Sequence, residues 1–247
     1  TNWYDTTTSV HNIPGVESVD SDSGTSCAIT SSGSALCWGA NNYGQLGNGA
    51  YTSSNVPTQV QGETRFKSIS VGNGFVCAIS FEADVWCWGH NNFGQLGNGT
   101  NLDSPVPTRI PNLTGIFKIS TSSNDNACAA VDVSGEVWCW GKDDTHQVIA
   151  NPSAIYSPSK LNGVTKAYEI ETGGTTTCAA TGSYEKVWCW GSDVFGLRGW
   201  DAANSSGPPT EFPGLTGVSD LSISQQHACA VLLQDGTAKC WGQFSEG

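Results

Sequence analysis

The residues best suited to chemistry are ten cysteines, which fall into five equivalent pairs. The first member of each pair lies in a Cys-Ala segment, and the second follows in a Cys-Trp-Gly segment. An even, regular set of this kind is typical of disulfides formed in an oxidising compartment. The predicted pairs are Cys27 with Cys37, Cys77 with Cys87, Cys128 with Cys139, Cys178 with Cys189, and Cys229 with Cys240.

Zinc binding is the rival chemistry for these cysteines. A structural zinc site brings together ligands that are close in sequence, as in Cys-x₂-Cys. Here the two members of a pair are ten or eleven positions apart, and no histidine recurs with them. The spacing therefore favours disulfides, and we expect neither a metal nor another cofactor.

The cysteine pairs recur with a regular period. From Cys27 to Cys229, the cysteines of the Cys-Ala segments are separated by steps of 50, 51, 50 and 51 residues. Periods of this length are typical of repeat architectures such as propellers. We predict a single domain, residues 1–247, with repeats at approximately 16–62, 63–113, 114–163, 164–214 and 215–247, the last completed by residues 1–15.

Short strands are the predicted elements of each repeat. The segment 67–71 alternates polar and apolar residues with the period of two that indicates a half-buried strand. A turn such as Ser31–Gly33 separates the two cysteines of a pair and predicts an antiparallel hairpin. Folding about Ser32 places Cys27 opposite Cys37, at a distance that suits a disulfide. The chain is therefore predicted to be all-β, with small, mostly four-stranded sheets.

The Trp-Cys-Trp segment gives each sheet two different faces. In the third repeat, Val137 and Cys139 point to one side of the strand, whereas Trp138 and Trp140 point to the other. Stacked sheets would place the tryptophans of one sheet against the disulfide of the next. This repeated contact is the predicted core.

The second repeat carries a longer motif. It begins with Cys77-Ala78-Ile79, continues with Val85–Gly89, and ends with Phe93-Gly94-Gln95-Leu96-Gly97-Asn98-Gly99. This pattern resembles the repeats of the regulator-of-chromosome-condensation family of β-propellers, most specifically in repeats one and two. The resemblance implies a propeller, here with five blades, whereas the family commonly has seven. The paired cysteines set the chain apart from the intracellular members.

The two ends of the chain predict closure of the propeller. Thr7–Val10 matches Ser53–Val56, and the final segment Trp241–Gly247 stops inside a loop that is equivalent to Trp88–Gly94. The N-terminal strand is therefore expected to complete the last blade, which would remove exposed sheet edges. The alternative is a five-repeat piece of a larger ring.

Charge and composition narrow the function. The net charge of −12 argues against a nucleic-acid surface. No apolar run approaches the length of a membrane-spanning helix. The chain contains no methionine, which favours a processed N-terminus, for instance after removal of a signal peptide, or an excised domain. We therefore expect an extracellular, secreted protein.

No set of residues points to catalysis, and the chain is predicted not to be an enzyme. The four histidines occupy unrelated positions in the repeat, and no nucleophile, metalloprotease or phosphate-binding motif is present. Asp143-Asp144 and Asn124-Asp125-Asn126 could bind calcium if they converged, but they lack the spacing of an EF-hand. We interpret both as solvated loops.

The third and fourth repeats depart from the motif in the loop that follows Cys-Trp-Gly. A repeat that departs from its sequence pattern often marks a functional surface, although sequence drift in a loop that tolerates substitution produces the same departure. The predicted contact face comprises 143–147 and 195–200. Its candidate partner-binding residues are Asp143, Asp144, His146, Phe195, Arg198 and Trp200.

The resemblance implies a rigid platform whose loops bind proteins. Members of the family include an exchange factor for a small nuclear GTPase and a secreted bacterial inhibitor of β-lactamase. We therefore expect a protein-binding or extracellular-assembly module, with a secreted enzyme inhibitor as one alternative. A lectin-like glycan binder is another, through Trp3, Trp200, Tyr43 or Phe93. Three Asn-x-Ser/Thr triplets predict glycosylation at Asn98, Asn112 and Asn204.

Overall fold

Antiparallel β-sheets are the regular secondary structure of this protein, whose computed structural model describes residues 10, 13–146, 148, 154–182, 186–199 and 206–243. In these residues five sheets, or blades, follow one another: β1–β4, β5–β8, β9–β12, β13–β16 and β17–β19. The all-β prediction is confirmed. The strands are β1 (Val16–Asp22), β2 (Thr25–Thr30), β3 (Ala35–Gly39), β4 (Ser54–Gln59), β5 (Phe66–Val71), β6 (Phe75–Ser80), β7 (Val85–Gly89), β8 (Ser104–Arg109), β9 (Ile116–Thr121), β10 (Asn126–Val131), β11 (Val137–Gly141), β12 (Ile155–Lys160), β13 (Ala167–Gly173), β14 (Thr176–Thr181), β15 (Lys186–Ser192), β16 (Ser206–Thr216), β17 (Val218–Ile223), β18 (His227–Leu232) and β19 (Ala238–Gly242).

The second and third strands of each blade pair in the predicted register. In blade 1, Cys27 lies opposite Cys37 and Ile29 lies opposite Ala35. Each pair of cysteines forms a disulfide within its own blade, with Cα atoms 4.1 Å apart. The disulfides are Cys27–Cys37, Cys77–Cys87, Cys128–Cys139, Cys178–Cys189 and Cys229–Cys240, as predicted.

The glycine of the Cys-Trp-Gly segment is required by a bulge at the end of the third strand. In blade 2 the pairing of β7 with β8 shifts between Cys87 and Gly89. Gly89 has a φ of 102°, and a Cβ atom there would lie 2.5 Å from the carbonyl oxygen of Gly74. Any other residue would therefore strain the backbone and collide with the neighbouring strand.

Neighbouring blades stack with unlike faces in contact. At the first junction, Cys27, Cys37 and Leu46 of blade 1 pack against Ile69 and Trp88 of blade 2. We call the first surface the cystine face, and we call the second, formed by the tryptophan of Cys-Trp-Gly and the apolar residues of the first strand, the tryptophan face. The same arrangement recurs at the next three junctions. The predicted stacking of tryptophan on disulfide is confirmed.

Hydrogen bonds between first strands also join the blades. The N–H of Val71 donates to Oδ2 of Asp20 at 2.7 Å, and the N–H of Thr121 donates to Oγ of Ser70 at 3.1 Å. An equivalent bond joins blades 3 and 4. These first strands surround a central groove of about 350 Å³, whose walls carry mainly hydroxyl and carboxylate groups.

The fourth strand forms the outer edge of blades 1 to 4 and carries proline. Pro57 lies in β4 and Pro107 lies in β8. Proline has no N–H to donate, so it suits an edge strand and discourages pairing with another chain. The proline-marked segments of the sequence therefore face outwards from the central groove.

Blades 1 and 5 are the two ends of the described arc. Consecutive first strands pack side by side from β1 to β17, but β17 does not pack in this way on β1. The strand predicted to close the ring belongs to residues 1–15, of which the structure describes only 10 and 13–15. Closure by that strand thus lies outside the described residues and stays a prediction.

Candidate partner-binding loops

A buried asparagine shapes the loop after the third strand in blade 2. Oδ1 of Asn91 accepts the N–H of Leu96 at 2.9 Å. Its side-chain amide donates to the carbonyl oxygens of Thr100 and Leu102, both at 3.0 Å. One fully buried side chain thereby joins both halves of the loop, which is why the motif has asparagine here.

Blade 1 uses the same arrangement. Oδ1 of Asn41 accepts the N–H of Leu46 at 2.9 Å, and its amide donates to the carbonyls of Ala50 and Thr52 at 2.9 and 3.0 Å. Leu46 is fully buried in the junction with blade 2. The Gly-Gln-Leu-Gly segment is therefore a structural connection, as its sequence indicates.

The loops are also attached to the following blade. The indole N–H of Trp88 donates to the carbonyl oxygen of Gln45 at 2.9 Å, and Trp140 donates to that of Gln95 at 2.9 Å. Trp241 makes the equivalent bond to the carbonyl of Leu197 at 3.0 Å. Because each bond is made by a tryptophan of the next blade, packing of the blades fixes the loops.

In blades 3 and 4 an aspartate occupies the asparagine position. Oδ1 of Asp143 accepts the N–H of Val148 at 2.9 Å, and Oδ1 of Asp193 accepts the N–H of Arg198 at 2.7 Å. Both carboxylates are buried. Our interpretation of Asp143 as part of a solvated loop was wrong, because its carboxylate performs the internal role of Asn41.

Arg198 adds hydrogen-bond donors to the blade 4 loop, which reach other acceptors than those of Asn91 in blade 2. Its guanidinium Nη2 donates to the carbonyl of Pro208 and to the hydroxyl of Thr210, both at 3.1 Å. Burial lowers the pKa of Arg198, with the nearby Asp193 carboxylate acting in the opposite direction. Burial likewise raises the pKa of Asp193, and the contacts with Arg198 only partly offset this effect. Both shifts mean that burial of the two charges costs free energy, while their hydrogen bonds fix the loop from inside.

This geometry corrects the predicted contact face. Asp143 and Arg198 are only 1% and 6% exposed, so their side chains are not available to a partner. Asp144 is exposed and lies 3.1 Å from Lys142 Nζ. His146 is half-buried, and its Nδ1 lies 3.1 Å from Ser206 Oγ.

The fourth loop offers a second exposed position near the predicted face. Phe195 is half-buried, and its neighbour Val194 is 55% exposed. Val194 was not among the predicted contact residues, which begin at Phe195 in this loop. Gln147 and Trp200 lie outside the described residues.

The loop aromatics contact the next blade. The ring of Tyr43 lies 4.2 Å from that of His90, and Lys142 Nζ lies 5.3 Å from the centre of the Phe93 ring. These contacts use part of each aromatic surface to attach a loop to its neighbour. Trp3, the remaining lectin candidate apart from Trp200, lies outside the described residues.

Two of the three glycosylation candidates line one groove between blades 2 and 3. Asn98 and Asn112 both line a groove of about 210 Å³. Oδ1 of Asn98 accepts the N–H and the hydroxyl of Thr100 at 3.0 and 2.8 Å, whereas Asn112 is exposed with a φ of 59°. Asn204 lies outside the described residues, and glycosylation of all three stays a prediction.

The second calcium candidate is also a buried structural group. Oδ1 of Asp125 accepts the side-chain amide of Gln95 at 3.2 Å and lies 3.8 Å from Nδ1 of His90. Asp125 is buried, so its interpretation as a solvated loop residue was wrong. In the part of the chain that the structure describes, no three His, Cys, Asp or Glu side chains are placed to share a metal ion. Nor does any helix in that part have the length and apolarity to cross a membrane.

Repeated four-stranded blades, a central groove and loops attached to the next blade define a β-propeller made of disulfide-linked blades. Models of the Regulator of chromosome condensation (RCC1) repeat match residues 32–79 and 82–129, and a second model of that repeat matches 18–45 and 66–95. The chain is an RCC1-like repeat β-propeller, as the sequence motif indicates. Comparison with curated protein sequences finds no match.

Solved structures share this fold. Human WBSCR16 is 22% identical, with a TM-score of 0.80 over 92% of this chain and 61% of that chain. Prp20p from Saccharomyces cerevisiae is 18% identical, with a TM-score of 0.80 over 93% of this chain and 57% of that chain. The CRINKLY WD40 ectodomain of the Arabidopsis thaliana receptor kinase ACR4 is 21% identical, with a TM-score of 0.57 over 94% and 66%. The chain thus spans about three fifths of the human and yeast proteins.

Proposed function

We propose that this chain is a secreted, disulfide-stabilised β-propeller that binds a protein partner through the loops after the third strand of each blade. The observation that carries the proposal is the contrast within these loops. Their inner residues are held by buried hydrogen bonds, whereas their outer residues differ from blade to blade. Rigid loops with variable exposed side chains are the usual means by which a scaffold presents a binding surface.

The exposed residues of the loops offer a mixed surface. Tyr43 in blade 1 is 40% exposed, Asp144 in blade 3 is exposed, and Val194 in blade 4 is 55% exposed. All three lie at the end of the blades where third strands finish. An aromatic group, a charge and an apolar side chain on a preorganised frame can bind a protein with little ordering cost.

The five disulfides support secretion. Each closes a loop of about ten residues, and a loop of that size contributes about 2–3 kcal/mol in the chain-entropy account. Such a contribution is available only where disulfides persist, which is outside the reducing cytosol. The receptor-kinase ectodomain with the same fold adds support for an extracellular setting. The yeast relative, described by its binding to Gsp1p and histones, adds support for a protein as partner.

The test compares two ends of the blades. The double variant Asp144→Arg with Val194→Arg alters the loop end, whereas Val133→Arg alters the opposite end, at a turn residue that is 100% exposed. Each tagged protein is incubated with the native extracellular material, and the captured proteins are identified by mass spectrometry. The affinity of the main captured protein is then measured for the wild type and both variants.

We expect the loop variant to bind that protein at least about tenfold more weakly, and the Val133→Arg variant to bind like the wild type. Equal binding by all three proteins would contradict the proposal for these loops. Secretion is tested separately by alkylating the unreduced native protein. A protein that gains alkyl groups on its cysteines before reduction would contradict a disulfide-linked, extracellular state.

A further inference from the structure

Asparagine followed by glycine occurs four times in the chain, and this dipeptide can undergo a spontaneous reaction of its own side chain. The pairs are Asn48-Gly49, Asn73-Gly74, Asn98-Gly99 and Asn162-Gly163. In this reaction the backbone nitrogen of the second residue attacks the side-chain carbonyl carbon of the asparagine. Glycine has no Cβ atom to hinder the approach. The attack also requires that the side chain and the glycine N–H can move, so the fold determines which pair reacts.

The pairs in the loops of blades 1 and 2 are held by hydrogen bonds on both sides. The N–H of Gly99 donates to the carbonyl oxygen of Tyr156 in the next blade at 2.8 Å. Oδ1 of Asn98 accepts the N–H of Thr100 at 3.0 Å. Asn48-Gly49 has the equivalent bonds, at 2.9 and 3.0 Å. Both reacting groups of these pairs are therefore engaged, and both bonds must break before the attack.

The pair Asn73-Gly74 forms the turn between β5 and β6. The N–H of Gly72 donates to the carbonyl of Phe75 at 2.9 Å, which closes the turn. The carbonyl of Gly74 accepts the N–H of His90 at 2.9 Å, and Gly74 is buried. The glycine nitrogen of this pair is thus fixed within a tight turn that is attached to the loop after β7.

The fourth pair, Asn162-Gly163, lies in the connection from β12 of blade 3 to β13 of blade 4. Both residues are exposed. Neither the side chain of Asn162 nor the N–H of Gly163 makes a hydrogen bond within the residues that the structure describes. A Cβ atom at Gly163 would meet nothing within 4 Å, so the space around the glycine is open. Neither reacting group is restrained, in contrast with the other three pairs.

The neighbours of this pair are fixed. Leu161 and Val164 are 4% and 1% exposed and belong to the apolar core between blades 3 and 4. The N–H of Leu161 also donates to the carbonyl of Val137 at 2.8 Å. Asn162 and Gly163 therefore form a short exposed connection between two buried residues, and their motion does not require the junction of the blades to open.

We propose that Asn162 is a site of spontaneous deamidation. The backbone nitrogen of Gly163 forms a bond to Cγ of Asn162, and the bond between Cγ and Nδ2 breaks. The proton of the glycine nitrogen leaves with the side-chain amide as ammonia. Water then opens the resulting succinimide ring. Opening at Cγ gives aspartate, whereas opening at the backbone carbonyl carbon gives isoaspartate, in which the chain continues through the side chain. The reaction needs only water, and the proposal is independent of the proposed function.

The two products affect the molecule differently. Both place a carboxylate at the edge of a groove of about 130 Å³ that Lys160 and Trp190 also line. Isoaspartate in addition inserts one more backbone carbon between Leu161 and Val164, which the core holds in place. We therefore expect isoaspartate, but not aspartate, to weaken the packing of blade 3 on blade 4.

The test follows deamidation in the folded, full-length protein. The protein is incubated at mildly alkaline pH for several weeks, and samples are reduced, digested with trypsin and analysed by mass spectrometry. Trypsin releases residues 161–166 as one peptide, because it cuts after Lys160 and Lys166. Digestion in water enriched in heavy oxygen marks any deamidation that occurs during sample handling. A parallel incubation in urea with a reductant exposes all four pairs.

We expect Asn162 to react at least about tenfold faster than the other three asparagines in the folded protein, because those pairs must first open locally. In urea the four rates should be similar. A folded protein in which Asn162 stays intact, or in which another pair reacts as fast, would overturn the proposal.

Asn162→Asp provides the matched control for the added charge. This variant should unfold at the same urea concentration as the wild type, because the site is exposed. The isolated isoaspartate form should unfold at a lower urea concentration. Equal stability of the isoaspartate form and the variant would contradict the proposed effect on the junction of blades 3 and 4.

Discussion

The loops of blades 2 and 4 share an internal hydrogen-bond acceptor but differ in their donors. In blade 2 one residue, Asn91, supplies both the acceptor and the donors. In blade 4 Asp193 supplies only the acceptor, and Arg198 donates to oxygens at different positions, those of Pro208 and Thr210. Departure from the repeat motif in blade 4 therefore marks a change inside the loop, and the binding surface that we propose comprises the outer residues.

The first prediction concerns the position that Leu96 and Arg198 share. Leu96→Ala should lower the free energy of unfolding by about 3–4 kcal/mol, because it removes a fully buried side chain from the junction of blades 2 and 3. Urea unfolding followed by tryptophan fluorescence measures the change. Leu102→Ala, at a residue that is 72% exposed, should change the free energy by less than about 0.5 kcal/mol. Similar losses in both variants would show that the loop leucine is not a core residue.

The second prediction places the aspartate of blade 4 at the equivalent position of blade 2. Asn91→Asp should destabilise the protein by about 2–3 kcal/mol at pH 7, because a buried carboxylate would face the carbonyls of Thr100 and Leu102 without a donor. The loss should shrink as the pH is lowered towards about 4, where the new carboxyl binds a proton.

Adding Leu96→Arg to Asn91→Asp tests whether arginine is the compensating partner. Leu96→Arg also removes a fully buried leucine, so the expected result is that Asn91→Asp costs less stability at pH 7 in the Leu96→Arg background than in the wild type. Asn92→Asp, at an exposed neighbour, serves as the charge control. If Asn91→Asp costs as much stability in the Leu96→Arg background as in the wild type, the arginine compensates an aspartate only in the setting of blade 4.

The third prediction reverses the change in blade 4. Asp193→Asn should stabilise the protein by about 1 kcal/mol at neutral pH, because the buried Oδ2 has no hydrogen-bond donor in the described residues. The folded state raises the pKa of Asp193, so the wild-type carboxyl costs stability as the pH rises through that value. The advantage of the variant should therefore disappear below about pH 3.9, the ordinary pKa of aspartate. A gain in stability that persists in acid would contradict the assigned cause.

The repeat itself made most of the fold predictable. The step between Cys27 and Cys77 and the turn at Ser32 were enough to predict the sheets and the disulfides, because strand register and a two-residue period are local properties. Alternation about Cys139 likewise predicted the two faces of each blade. These features depend on residues that are close in sequence, so one amino-acid sequence is enough to predict them.

The roles of the loop residues were not predictable in the same way. Arg198 was expected at the surface because charged residues are rarely buried. Its acceptors on Pro208 and Thr210 lie ten or more residues along the chain, at a distance in space that only the folded blade defines. Asp125 was similarly misinterpreted, because its partner Gln95 belongs to the preceding blade.

The position of the disulfides has a mechanical consequence. Every cystine cross-links neighbouring strands of a single blade, and none connects one blade to another. Under load or proteolysis, the hairpin of the second and third strands in each blade resists being unravelled, while the first and fourth strands and the contacts between blades depend on packing and hydrogen bonds alone. Force applied to the chain ends should therefore extend the outer strands and leave five short cross-linked hairpins that cannot be stretched until their disulfides are reduced.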